Sequence, residues 1–221
     1  MGNKKKQRTD LTPSMEFRSY QIEVERKYRS SKKDWKSFIQ KCKFLSPSDE
    51  LVVDGPDTYY GNSEGRVLRW RYNSDKSELT TKARYSMAST LIREESDIEM
   101  KNTPVRSIIS FIRALGFKKL FRIRKYCHIF WFDEPEGNVC AVIYRVTCRG
   151  KVDKFFIEIE APKGASLSSS KRMIRKWEQI LEIPSHRRIN QSLFEIYSGK
   201  ITPMVKRRGG ASCKDKVKSK K

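Results

Sequence analysis

The stretch IEVERKY, residues 22–28, alternates β-branched and aromatic residues with ionisable ones. A strand has a side-chain period of two, so Glu23, Glu25 and Lys27 fall on one face and Ile22, Val24 and Tyr28 on the other. Carboxylates placed this way can ligate a hard divalent cation, and an ammonium beside them can hold a phosphate oxygen. The pattern recurs along the chain. Arg69 and Arg71 share a face opposite Leu68, Trp70 and Tyr72; Lys82 shares one with Thr80 and Glu78. Arg93, Glu95, Asp97 and Glu99 align in IREESDIEM, and Glu158 and Glu160 oppose Phe155, Ile157 and Ile159 in KFFIEIE.

Two arrangements accommodate such faces. On an open sheet they are solvated and laced by cross-strand ion pairs. If helices cover the apolar faces instead, the charged faces point at one another, into a barrel. Two like charges about 5 Å apart repel by roughly 3 kcal/mol at an effective dielectric near 20. Several bases lining one interior therefore require an anion, and paired glutamates require a cation. A polyphosphate carrying Mg²⁺ or Mn²⁺ meets both demands.

The elements that position these residues follow from periodicity and turn chemistry. A first strand is expected at about 20–28, followed by an amphipathic helix in SKKDWKSFIQKCKFL, with Trp35, Phe38, Ile39 and Cys42 at helical spacing. Short alternating segments follow, punctuated by DGP, GNSEG and NSD. TPVRSIISFIRALGF predicts a second helix, with Pro104 in its first turn and Gly116 near its end. KLFRIRKYCHIFWF and VCAVIYRVTC, separated by DEPEGN, predict a hairpin; KFFIEIEA is a further strand. SLSSSKRMIRKWEQILEI predicts a serine-capped helix, and NQSLFEIYSG a last short one. The expected class is α+β, an eight-stranded antiparallel barrel with helices packed outside.

The chain has 221 residues and a formal charge of +22. Residues 1–8 carry +4 and residues 206–221 carry +7, so half the excess lies in the tails. The expected organisation is a basic tail over 1–15, a domain over 16–200 and a second basic tail over 201–221, the tails being low-complexity and lysine-rich. The remaining excess still favours an anionic partner. Five cysteines show no CxxC pair and no metal spacing, and no run approaches 18 apolar residues. An intracellular, soluble protein of the cytoplasm or nucleus, with reduced thiols and no membrane, is the expectation. His128 and His186 are too isolated to suggest a histidine metal site.

IEVERKY also resembles the ExExK signature of the CYTH superfamily, the triphosphate tunnel metalloenzymes. It is followed in order by DTYY, LRWR, LTTK, REESD, ALGF before a basic strand, and FIEIE, so the resemblance spans about residues 20–197. That family includes thiamine triphosphatases, inorganic triphosphatases, RNA 5′-triphosphatases and class IV adenylyl cyclases, built on an eight-stranded antiparallel tunnel. The resemblance implies that Glu23, Glu25, Glu158 and Glu160 bind Mg²⁺ or Mn²⁺. It implies that Lys27, Arg69, Arg71, Lys82, Arg93 and Lys125 hold the triphosphate, and that Glu95 and Asp97 orient water or a second metal. The chemistry implied is in-line attack of water on the terminal phosphorus, with Glu23, Glu25, Glu95 and Glu160 in the catalytic set.

Two positions depart from the family pattern. The strand after ALGF keeps Lys125 but has Cys127 where the family has arginine, with Arg122 and Arg124 on the alternate face unless a bulge shifts them. The penultimate strand, YRVTCRG, lacks the family aspartate; the next acid is Asp153. The expected activity is removal of the terminal phosphate from inorganic triphosphate or a nucleoside or organic triphosphate. The alternatives are an RNA 5′-triphosphatase reached by RNA through the basic tails, a class IV-type cyclase, and a non-catalytic polyphosphate- or nucleic-acid-binding module.

Overall fold

A computed structural model describes residues 14–73, 76–87, 90–148 and 151–201. In chain order the elements are β1 (Ser14–Ser30), α1 (Lys32–Phe44), β2 (Asp49–Gly61), β3 (Val67–Asn73), β4 (Lys76–Met87), β5 (Thr90–Lys101), α2 (Val105–Ala114), β6 (Lys118–Phe132), β7 (Val139–Cys148), β8 (Lys151–Glu160), α3 (Leu167–Ile180), β9 (Arg188–Ile189) and α4 (Leu193–Ile201). The described part falls into two compact units, one up to Asn190 and one from Gln191. In the second, α4 is preceded by Ser192, whose backbone N–H and hydroxyl both donate to Glu195.

The fold is α+β and its strand ladders are antiparallel. Strand order in the nine-stranded sheet is β5-β4-β3-β2-β6-β7-β8-β1-β9. β1 also pairs with β5, from Ser14↔Lys101 to Glu25↔Leu91, while it pairs with β8 from Glu25↔Glu160 to Ser30↔Phe155. The first strand is thus longer than its alternation suggests, because its N-terminal part is held by β5. The ninth strand was not expected. It is two residues long and sits against Lys27 and Tyr28 of β1.

Helices cover one face of the sheet. α1 begins with a capping box, Ser31 Oγ accepting from the Asp34 N–H while Asp34 accepts from the Ser31 N–H. It buries Phe38, Ile39 and Cys42 against Val24, Tyr28, Phe130, Ile143, Ile157 and Ile159, together with Met173, Ile174 and Trp177 of α3. α2 seals a second apolar cluster, laying Ile108 and Ile112 on Tyr60, Leu68, Trp70, Leu79 and Met100. It ends in a Schellman turn, Phe117 N–H to Ile112 O and Gly116 N–H to Arg113 O, which requires the positive φ of +80° that Gly116 adopts at no steric cost.

The alternation of β1 is less clean than the string suggests, because Arg26 lies among its apolar neighbours. The sheet tolerates it through α3. Arg26 Nη1 donates to Glu178 Oε2 at 2.5 Å, Tyr28 donates its hydroxyl to the same carboxylate, and Arg188 Nε donates to Oε1 at 2.7 Å. Arg26 and Glu178 are both buried, so β1, α3 and the β9 segment are joined at one ionised group. Removing one partner of a buried pair leaves the other uncompensated, at a cost of about 3–5 kcal/mol. Glu178→Ala is expected to lower unfolding free energy by that amount in urea titration; a loss below about 1 kcal/mol would show that the cluster does not anchor β1.

Candidate active site

The face opposite the helices carries the ionisable residues. Because β1 and β8 pair with Glu25 opposite Glu160 and Lys27 opposite Glu158, four of them sit side by side. One ligand oxygen from each of Glu23, Glu25 and Glu160 lies within 4.8 Å of the others. Oxygens around a hard divalent cation at about 2.1–2.4 Å are separated by distances up to about twice that radius, so the spacing fits such an ion. Glu25 is buried, and Glu23 and Glu160 are half-buried.

Glu158, two residues from Glu160 on the same strand, is arranged differently. Lys27 Nζ lies 2.8 Å from its Oε1 and 3.7 Å from Glu25 Oε1, and Tyr144 donates its hydroxyl to Glu158 Oε1 at 2.6 Å. Burial alone would raise the Glu158 carboxyl, but Lys27 and Lys125, with hydrogen bonds from Lys27 and Tyr144, hold it well below the usual carboxylate range. The Tyr144 hydroxyl is pushed upward, by burial first and then by Glu158. Lys125 Nζ stands 4.1 Å from the centroid of the Tyr144 ring, a cation–π contact. Glu158 therefore holds a lysine in place, and the metal-spaced cluster is the other three acids.

Across β2–β5 a second group forms. Arg71 donates from Nε and Nη2 to the two oxygens of Asp57 at 2.9 and 3.2 Å. Arg69 Nη2 donates to Glu78 Oε1 and to Thr80 Oγ1, both at 2.8 Å, and lies 3.9 Å from Glu95 Oε1. Asp57 is fully buried; burial would raise its carboxyl, but Arg71 and Arg69 outweigh this and depress it strongly. Burial opposes the charge on both arginines, yet Asp57 and Glu78 raise them, so both stay ionised. Lys125 influences both Glu158 and Asp57, linking the two groups.

Most of the expected residues are brought to this face. Glu95 is buried and Asp97 half-buried on β5. The side chains of Lys82 and Arg93 lie outside the described residues; by register Lys82 opposes Glu95 and Arg93 opposes Glu23. Asp57 and Tyr144 were missed. Asp57 shares a face with Tyr59 in DTYY, alternating with Thr58, and could have been placed on the charged face; Tyr144 sits in the nearly continuous apolar run VCAVIYRVTC, which has no readable period.

The departures are also resolved. The β2–β6 register slips between Tyr59 and Tyr60, before Arg122 is reached, and so moves neither arginine. Arg124 donates to Asp54 on the exposed surface at 2.7 and 3.0 Å, and Arg122 is exposed. Cys127 is buried, and burial pushes its thiol upward despite Lys125 and Arg71, so it is held neutral. On β7 the residues opposite Glu160 and Glu158 are Cys140 and Val142, with no carboxylate. The Asp153 side chain lies outside the described residues.

No protein-family model and no curated protein matches this sequence. Solved structures do share its fold. A conserved hypothetical protein of Pyrococcus furiosus aligns with 78% of this chain and 98% of its own, at 21% identity and TM-score 0.61. A Vibrio parahaemolyticus protein described as a "putative adenylate cyclase" aligns with 80% and 98%, at 18% identity and TM-score 0.55. The structure of the Schizosaccharomyces pombe Mediator head module contains a chain aligning with 73% and 94%, at 7% identity and TM-score 0.57. At these identities the likeness is one of fold.

Because Glu158 and Asp57 are both depressed, each contributes stability present above the unfolded carboxylate pKa near 4 and lost as pH falls through the folded value. Unfolding free energy should stay level from pH 7 to about 5 and drop below about pH 4. In Lys27→Met the part of the drop due to Glu158 should shrink. An identical acid limb in the variant would contradict the Lys27–Glu158 assignment.

Proposed function

On the premise that this chain has the CYTH-type fold, we propose that it is a divalent-metal-dependent triphosphate phosphohydrolase. Its substrate would be inorganic triphosphate or a nucleoside or organic triphosphate, cleaved at the terminal phosphate. The observation that carries this reading is the joining, on one sheet face, of a three-carboxylate cluster of metal spacing to buried or half-buried Lys27, Lys125, Arg69 and Arg71. A solvated outer face would not need to bury these charges; a phosphate chain and its metal do. The pairing of β1 with both β8 and β5 supports closure of β1–β8 into an eight-stranded tunnel with this face inside.

Glu23, Glu25 and Glu160 would hold the metal, which when bound withdraws charge from phosphoryl oxygens and lowers the cost of forming the nucleophile. Lys27, fixed by Glu158, presents its ammonium beside that cluster and would neutralise a non-bridging oxygen. Arg69, Arg71 and Lys125, with Lys82 and Arg93, would orient the remaining phosphates. Asp57 and Glu78 keep the two arginines ionised and aimed, so little reorganisation accompanies substrate entry. Glu95 would take the proton from attacking water. Unbridged Cys42, Cys127, Cys140 and Cys148 support a reducing, cytoplasmic or nuclear setting, and no described helix is long and apolar enough to cross a membrane. The functional domain would span 16–200, with the basic tails as accessory segments able to attract RNA 5′-triphosphate ends.

The carboxylate-free β7 favours one other reading, a polyphosphate-binding module without turnover. Product analysis separates the possibilities. Orthophosphate released from tripolyphosphate, nucleoside triphosphate or 5′-triphosphorylated RNA with Mg²⁺ or Mn²⁺ is expected. Pyrophosphate with cyclic nucleotide would assign a cyclase, and binding without turnover the module. Glu25→Ala and Glu160→Ala should each reduce metal-dependent release at least about 100-fold, exceeding the loss typical of an outer-shell partner, with unchanged circular dichroism. Full activity in either variant would remove the metal assignment.

A further inference from the structure

On the helix-covered side of β2 and β3 a cavity of about 720 Å³ opens between the strands, α2 and the start of β6. This is within the 300–1,000 Å³ range of small-molecule sites. It lies on the opposite side of the sheet from the candidate active site: Tyr60, Trp70 and Tyr72, which line it, alternate with Tyr59, Arg69 and Arg71. Its walls are aromatic. Tyr60, Trp70, Tyr72 and Phe117 contribute rings, Trp70 and Tyr72 with centroids 6.1 Å apart, while Val105 and Ile109 of α2 add aliphatic surface.

Its rim is cationic. Arg113 follows Val105 and Ile109 at four-residue steps along α2, and Arg122 extends from β6; burial raises the Tyr60 hydroxyl, and the charges of both arginines oppose that rise. Lys118 and Lys119 complete the rim. Among the described residues no carboxylate pairs with any of these four. Trp70 is only 8% exposed, and its indole N–H has no hydrogen-bond partner among the described residues. A buried indole N–H without an acceptor is uncommon, because the group loses water and gains nothing. The terminal segments carry the same sign of charge as the rim and do not complement it.

We propose that this cavity is a second ligand site, which takes one nucleotide unit: a base stacked among the aromatic rings, with its phosphate on Arg113 and Arg122. Flat π surfaces stack on aromatic side chains without a specific edge pattern. Exposed Arg113 and Arg122, together with Lys118 and Lys119, supply the positive charge that a phosphate needs. An acyl chain would fill the apolar walls but give the four cations of the lining no counter-charge. The unit could be a free nucleotide or one residue of a single strand, and the inference does not depend on turnover at the other face.

The test uses the full chain with a saturating methylene-bridged, non-hydrolysable tripolyphosphate analogue, so that the opposite face is occupied without turnover. Adenosine 5′-monophosphate, a short oligoriboadenylate and inorganic phosphate are each titrated by calorimetry and by the indole N–H resonances of the four tryptophans. Expected is binding of one or both adenine ligands, a shift of the single indole resonance that disappears in Trp70→Phe, and at least a tenfold loss of affinity in the Arg113→Glu/Arg122→Glu double variant. Preference for the monophosphate assigns a free nucleotide; preference for the oligomer assigns a strand. The proposal is overturned if neither adenine ligand binds, if inorganic phosphate binds as tightly as both, if the tripolyphosphate analogue displaces them, or if the double variant binds like the parent. The two arginines are exposed, so the variant leaves the core intact.

Discussion

Keeping ionised side chains in the interior of a sheet is the constraint on which the rest of this structure depends. Lys27 is 2% exposed and Glu158 is 6% exposed, and each would lose several kcal/mol of hydration if it stood alone. They persist because the buried charges have neighbours that hold them: Lys27 on Glu158, Tyr144 on the same oxygen, Lys125 over the tyrosine ring, Arg71 on Asp57 and Arg69 on Glu78. Such a network demands register, since a one-residue slip would send β1 carboxylates into the apolar layer. β1 is held on both edges, by β8 and by β5, and pinned from behind by Arg26 on Glu178.

That arrangement makes the two faces of β1 interdependent. Glu178 of α3 positions Arg26 and Tyr28, and these set where Glu25 and Lys27 stand on the other side. Helix α3 thus contributes to the charged face from the opposite side of the sheet. The same logic explains why Asp57 and Glu78 matter: they keep two guanidinium groups ionised in a setting where burial opposes the charge. A phosphate chain would then meet preset cations, which is the condition for electrostatic stabilisation without reorganisation.

Much of this was legible in the string because a period of two is hard to misread when charges alternate with Ile, Val and Trp. β3, β4, β5 and β8 form where alternating segments predicted strands, and α1, α2 and α3 lie where apolar stripes and caps placed them. Legibility failed where the pattern was broken or uniform. Arg26 hid its burial because its partner, Glu178, is 152 residues away. Tyr144 was lost in an unbroken apolar strand, and the different surroundings of Glu158 and Glu160 could not be told apart, since both carry the same side chain on the same face. The Glu158 carboxylate has Lys27 and Tyr144 as neighbours, which is three-dimensional information.

The fold by itself leaves the chemistry open, since proteins of different description share it at low identity. The central claim concerns a place: three carboxylates and several cations share one interior with a metal and a phosphate chain. Diffraction from crystals grown with Mn²⁺ and a non-hydrolysable triphosphate analogue, recorded at the manganese edge, addresses it directly. The account predicts an anomalous peak bonded to Glu23, Glu25 and Glu160, with phosphate oxygens contacting Lys27, Arg69 and Arg71. Manganese or analogue bound only on the outer surface, with those carboxylates uninvolved, would contradict it.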